Sequence, residues 1–161
     1  MKKNSLYFSQ NRYARLIIPG TSAIFLGGMI YLLFHSSESL FFSGIRSSGL
    51  DNWLTFTRNS SLGLSPYLPS WGVYSLPDGL WAFSYSLFMT GIWWNSGSRL
   101  KYLWIATIPL LVLGSELLQL NSIIPGTFCV QDLILEILGI TTGMTFAIKT
   151  PKPHNHETSF N

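Results

Sequence analysis

Seven acidic residues are spread over 161 positions, and Glu116, Asp132 and Glu136 sit inside stretches that are otherwise apolar. A fourth acid, Asp78, opens another such stretch. An ionisable side chain in an apolar run is a functional-site hypothesis by default. Burying it unpaired costs several kcal/mol, so it should face a neighbour or a wet cavity. Asp132 and Glu136 are four apart and Glu116 and Gln119 three apart, so each pair shares one side of a helix. No lysine or arginine lies within these stretches. The acids must therefore be protonated, hydrated, metal-bound, or paired with a cationic ligand or partner. Neighbouring carboxylates can also divide acid and base roles. Glu116, Asp132 and Asp78 are the candidate catalytic residues, with Gln119 and Glu136 supporting them.

Other chemistry is thin. His154 and His156 form an H-x-H in a polar tail, a pattern that is usually accidental, and His35 has no clear partner. Cys129 is the single cysteine, which rules out an intramolecular disulfide and reads as a packed small hydrophobe. There is no nucleotide-binding glycine loop and no nucleophile elbow, so no cofactor or metal site is expected.

Composition says where such acids would be held. Hydrophobic residues make up 47% of the chain and charged residues 11%, about half the charged share of soluble domains. The net charge of +3 comes from short basic clusters beside apolar runs. With no basic stripe, nucleic acid is not the expected partner. The lipid bilayer is.

Four apolar stretches are close to the ~20 residues a helix needs to cross ~30 Å of hydrocarbon. They run from Leu16 to Phe34, Gly79 to Trp94, Tyr102 to Leu120 and Phe128 to Ile148. The expected architecture is an all-α membrane protein, a four-helix transmembrane bundle forming one domain over residues 1–150. Residues 151–161 read as a disordered tail. The first stretch exceeds a signal-peptide core and lacks a small-residue cleavage site after it, so it reads as a retained anchor.

Lys2, Lys3, Arg12 and Arg15 precede the first span, Arg99 and Lys101 fill the second turn, and Lys149 and Lys152 follow the last span. All eight fall on one side of a four-span arrangement, which places both termini in the cytoplasm. Rising ~1.5 Å per residue from that side, Glu116 lies ~22 Å above Lys101, Glu136 ~20 Å above Lys149, and Asp132 ~6 Å higher. With Asp78, four carboxylates converge on one layer near the outer leaflet. Arg46 and Arg58, in the external segment, are the candidate internal partners.

That segment, His35 to Asp78, has helical spacing at Phe41, Ile45, Leu50, Trp53 and Leu54. An interfacial helix fits there, broken near Gly49. Its second half is a structured loop with Tyr67, Trp71 and Tyr74 at headgroup level. Gly139-x-x-x-Gly143 permits close helix packing. Pro109 should kink the third span and open space below Glu116. Asp78, in Pro77-Asp78-Gly79, also has a plain role at a helix N-terminus.

The second half resembles the VanZ-like family of small bacterial membrane proteins. The matching residues are Glu116-Leu117-Leu118-Gln119, then Pro125-Gly126-Thr127-Phe128, then Asp132, Glu136, Gly139 and Gly143 along the next span. Upstream, Leu76-Pro77-Asp78-Gly79-Leu80-Trp81 fits the place where members carry an acid opening a helix. The resemblance covers residues 76–147. Glu136 stands where the family usually has Asn, Thr127 where Arg is common, and Trp81 and Ala82 where a His often follows the first acid. The resemblance implies a bacterial cytoplasmic membrane, and its founding member is associated with resistance to the glycopeptide teicoplanin.

Three functions follow from this pattern. In one, the acids form a site at the outer leaflet that handles an envelope lipid or lipid-linked precursor. In the second, the chain is a non-catalytic membrane subunit whose acids pack the bundle or pair with a partner protein. The third, a proton-coupled transporter, is weaker, because no acid continues the path inward.

Overall fold

The computed structural model describes residues 2–34, 49, 51–63, 65–123 and 128–150. Among them there are helices and turns and no strand. Helix α1 (Lys2–Phe34) is followed by α2 (Asp51–Leu62), a 3-10 turn at Ser65–Tyr67 and the short α3 (Ser70–Tyr74). Then come α4 (Leu76–Trp93), α5 (Leu100–Leu120) and α6 (Val130–Lys149).

Three segments are long and apolar enough to cross a membrane: Tyr13–Phe34, Leu100–Leu120 and Val130–Lys149. They suggest a membrane protein. Helix α4, expected from sequence as a further span, is not apolar enough to join them. Its position explains why. It packs most extensively against α6, next against α1, and more lightly against α5. Its Ala82, Ser84, Ser86, Leu87 and Thr90 are all buried. A helix surrounded by other helices needs small, hydroxyl-bearing residues more than it needs lipid-soluble ones.

Small residues set the α4–α6 contact. A methyl group on Gly139 would strike the Gly79 carbonyl oxygen and lie 3.0 Å from the Phe83 nitrogen. One on Gly143 would strike Ser86 Oγ and the Phe83 carbonyl oxygen. The expected packing role of this glycine pair is what the backbone displays. The contacts climb both helices together, from Gly79 beside Leu135 and Gly139 to Ser86 beside Gly143, so α4 and α6 run parallel. Helix α1 runs antiparallel to α4, with Gly20 against Phe88 and Gly27 against Trp81. Ser84 Oγ joins the two by donating to the Gly20 carbonyl oxygen at 2.8 Å.

Helix α5 is the outlier. It touches α6 little and meets α4 through the fully buried Ile108, a stacked Trp93–Trp104 pair at 5.7 Å, and a 2.7 Å hydrogen bond between Tyr85 and Thr107. The helix continues through Pro109, which lines a cavity of about 760 Å³ between α5 and α6.

Two boundaries differ from the sequence expectation. Helix α1 extends back to Lys2, because no Gly or Pro interrupts residues 2–18. Gly49 adopts a left-handed φ of 78°, and α2 runs from Asp51 to Leu62, eight residues beyond Leu54, the last position in the expected spacing. Phe41, Ile45, Arg46, His35, residues 125–127 and the 151–161 tail lie outside the described residues.

Candidate functional site

Parallel α4 and α6 bring their N-termini to one end of the molecule, where the C-terminus of α5 also arrives. This end collects the acids. Asp78 is in the first turn of α4, Asp132 in the first turn of α6, Glu136 one turn further along, and Glu116 near the end of α5. Asp78 is within electrostatic reach of Asp132 and Glu116, and Glu136 of all three others. The convergence expected from helix rise is therefore present.

Helix ends contribute to holding these charges together. Each N-terminus carries roughly half a positive charge from its unpaired N–H groups. Asp78 and Asp132 both sit in such a first turn. Glu116 is near the C-terminus of α5, where the helix dipole opposes its charge, and Glu136 lies a turn deeper in α6, beyond that help. Both are buried, at 5% and 7% exposure. The Glu116 carboxylate lies close to the backbone of Cys129, where the end of α5 approaches the start of α6. Even so, Oε2 of Glu116, Oδ1 of Asp132 and Oε2 of Glu136 are buried with no hydrogen-bond partner among the described residues. Buried polar atoms left unmatched this way are uncommon, and several in one cluster point to a proton, water or ligand.

The acids do not play equal parts. An open cleft of about 240 Å³ lies between α4 and α5, with Asp78 and Glu136 in its wall. Trp81, Tyr85, Leu111 and Ser115 make up much of the remainder. Glu116 and Asp132 stand outside this lining. Gln119 is half-buried on the last turn of α5 and hydrogen-bonds none of the described carboxylates. Among the described residues, no group of three or more His, Cys, Asp and Glu is arranged to hold a metal ion.

Sequence reading passed over Trp81 and Tyr85 as site residues. The signal was available, since positions three and seven beyond Asp78 lie on its side of the helix. Arg58, expected as a partner for the acids, donates to the Leu32 carbonyl oxygen at 3.4 Å. Ser61 Oγ donates to that of Leu33 at 3.4 Å. Together they cap the exposed carbonyls at the end of α1, a contact between distant segments that spacing cannot reveal.

The chain matches no family model, no curated protein sequence and no solved structure.

Proposed function

We propose that the chain is a four-span protein of a bacterial cytoplasmic membrane, with both termini in the cytoplasm, and that its acid-lined cleft binds a cationic amphiphile at the outer leaflet. The observation carrying this reading is the pairing of Asp78 and Glu136 in an open cleft whose other walls, Ser115 aside, are apolar and aromatic. A carboxylate pair attracts an ammonium group, and the faces of Trp81 and Tyr85 add cation–π attraction. The cleft is below the ~300 Å³ at which drug-sized pockets begin. It suits one headgroup, with the rest of the molecule in lipid. An aminolipid or an amine-bearing, lipid-linked envelope precursor has that form. The resemblance to the VanZ-like family, whose founding member bears on a cell-envelope antibiotic, points the same way.

One set of observations favours a packing role for part of the cluster. Glu116 is buried close to the Cys129 backbone, and neither it nor Asp132 lines the cleft. We assign those two to joining α5 to α6, and Asp78 and Glu136 to the ligand.

The test uses purified protein in neutral detergent and an alkyltrimethylammonium probe, with a neutral amphiphile of equal chain length as control. Thermal stabilisation by the cation alone is expected, lost in Asp78→Asn and Glu136→Gln. Equal shifts with both amphiphiles, or an undiminished cation response in the two variants, would sink the proposal. In cells, the same variants at matched membrane levels should behave like a deletion under envelope stress, including glycopeptides.

A further inference from the structure

A second site lies at the opposite end of the molecule. A groove of about 570 Å³ runs between α1, at Arg15, and the last turns of α6, and both Arg15 and Lys149 line it. These two cations are 134 positions apart in sequence (149 less 15) and are brought together only by the fold. No acid lines the groove. Arg15 sits two residues inside the apolar segment Tyr13–Phe34, and Lys149 is the last residue of Val130–Lys149. Both are therefore at the level where a bilayer changes from acyl chains to headgroups.

The rest of the lining is threonine-rich, and its hydroxyls decide what can bind. Thr141 donates to the Ile137 carbonyl oxygen at 2.9 Å, and Thr142 to that of Leu138 at 2.6 Å. Thr145 donates to the Thr141 carbonyl oxygen at 2.6 Å, and Thr150 to that of Phe146 at 2.8 Å. With each proton committed to its own helix, the threonines present methyl groups and lone pairs to the groove. They offer no hydroxyl donor to an anion. A free phosphate would find two cations and little else, whereas an acyl chain can lie along Phe146 and the threonine methyls.

We infer that this groove holds an anionic phospholipid, its phosphate between Arg15 and Lys149 and one acyl chain along α6. This does not depend on the acid cleft. Basic pockets between membrane helices recognise anionic headgroups in this way, each nearby cation strengthening binding several-fold.

Native mass spectrometry of the detergent-purified full chain gives the test, titrating phosphatidylglycerol against phosphatidylcholine with the same acyl chains. One tightly held phosphatidylglycerol is expected, with affinity about thirtyfold weaker in the Arg15→Gln/Lys149→Gln double variant. Lys101→Gln removes a cation that lines a different cavity, and it should leave binding unchanged. Arg15→Lys should retain most of it. Both substituted side chains are exposed, so the double variant should fold, which an unchanged circular dichroism spectrum would verify. Equal retention of the two lipids, or equal losses in Lys101→Gln and the double variant, would overturn the inference. Displacement by millimolar inorganic phosphate would also overturn it, assigning the groove to a free anion.

Discussion

Replacing Gly139 by alanine tests the parallel α4–α6 contact on which the acid cluster depends. The added methyl would meet the Gly79 carbonyl oxygen and lie 3.0 Å from the Phe83 nitrogen. Both are backbone atoms and cannot swing aside. Relief requires the two helices to part by something on the order of 1 Å, and overpacking of that kind costs ~1–3 kcal/mol. Alanine returns up to ~1 kcal/mol through its better helix propensity. A net loss of about 1–2 kcal/mol is expected. Gly114 on α5 supplies the control, because a methyl there would meet nothing within 4 Å. Gly114→Ala should be neutral or stabilising by up to ~1 kcal/mol. The same chemical change thus carries opposite signs at two helical glycines. Reversible unfolding by SDS in mixed micelles, followed by circular dichroism, measures both. If Gly139→Ala were as harmless as Gly114→Ala, the close α4–α6 approach would be wrong, and so would the placement of the acids it supports.

Smaller perturbations probe the remaining contacts. Ser84→Ala removes the link to the Gly20 carbonyl oxygen and should cost ~0.6 kcal/mol, up to ~1.7, in the same unfolding assay. Tyr85→Phe breaks the hydrogen bond to Thr107. It should loosen α5 with little change elsewhere, seen as faster amide exchange confined to Leu100–Leu120. Glu136→Gln replaces a buried carboxylate with an uncharged isostere. It should raise the midpoint of thermal unfolding while abolishing the response to the ammonium probe, because a residue kept for binding commonly lowers stability. A lower midpoint would instead mark Glu136 as a packing residue.

Much of the acid layer was legible in the sequence. Counting helix rise from Lys101 and Lys149 placed Glu116, Glu136 and Asp132 at one height, and the structure brings them together with Asp78. Their division was not legible. Asp132 and Glu136 share a side of α6, yet only Glu136 enters the cleft wall, which α5 lines through Leu111, Val112 and Ser115, a placement no local pattern encodes. Helix α4, expected from sequence as a span, is not among the three segments apolar enough to cross a membrane. Its Ala82, Ser86 and Thr90 recur every four residues, which lowers the apolar score but forms one buried stripe. A hydropathy average responds to lipid exposure, whereas this helix is built for protein contact. The capping of α1 by Arg58 and Ser61 joins residues some thirty positions apart, and no local pattern encodes it.

The buried hydroxyls of α4 also bear on how such a chain is made. On the four-span reading, α4 enters the bilayer during synthesis when α1 is already present but α6 is still to come. Ser84 can find the Gly20 carbonyl oxygen at once. The α6 partner of Ser86, the Gly139 carbonyl oxygen, is translated later. Through that interval α4 is marginally soluble in lipid and has one flank open. Nascent chains stalled before α6 should therefore be favoured substrates for membrane proteases. A substitution that weakens the α4–α6 seam would then lower cellular abundance further than its equilibrium cost suggests.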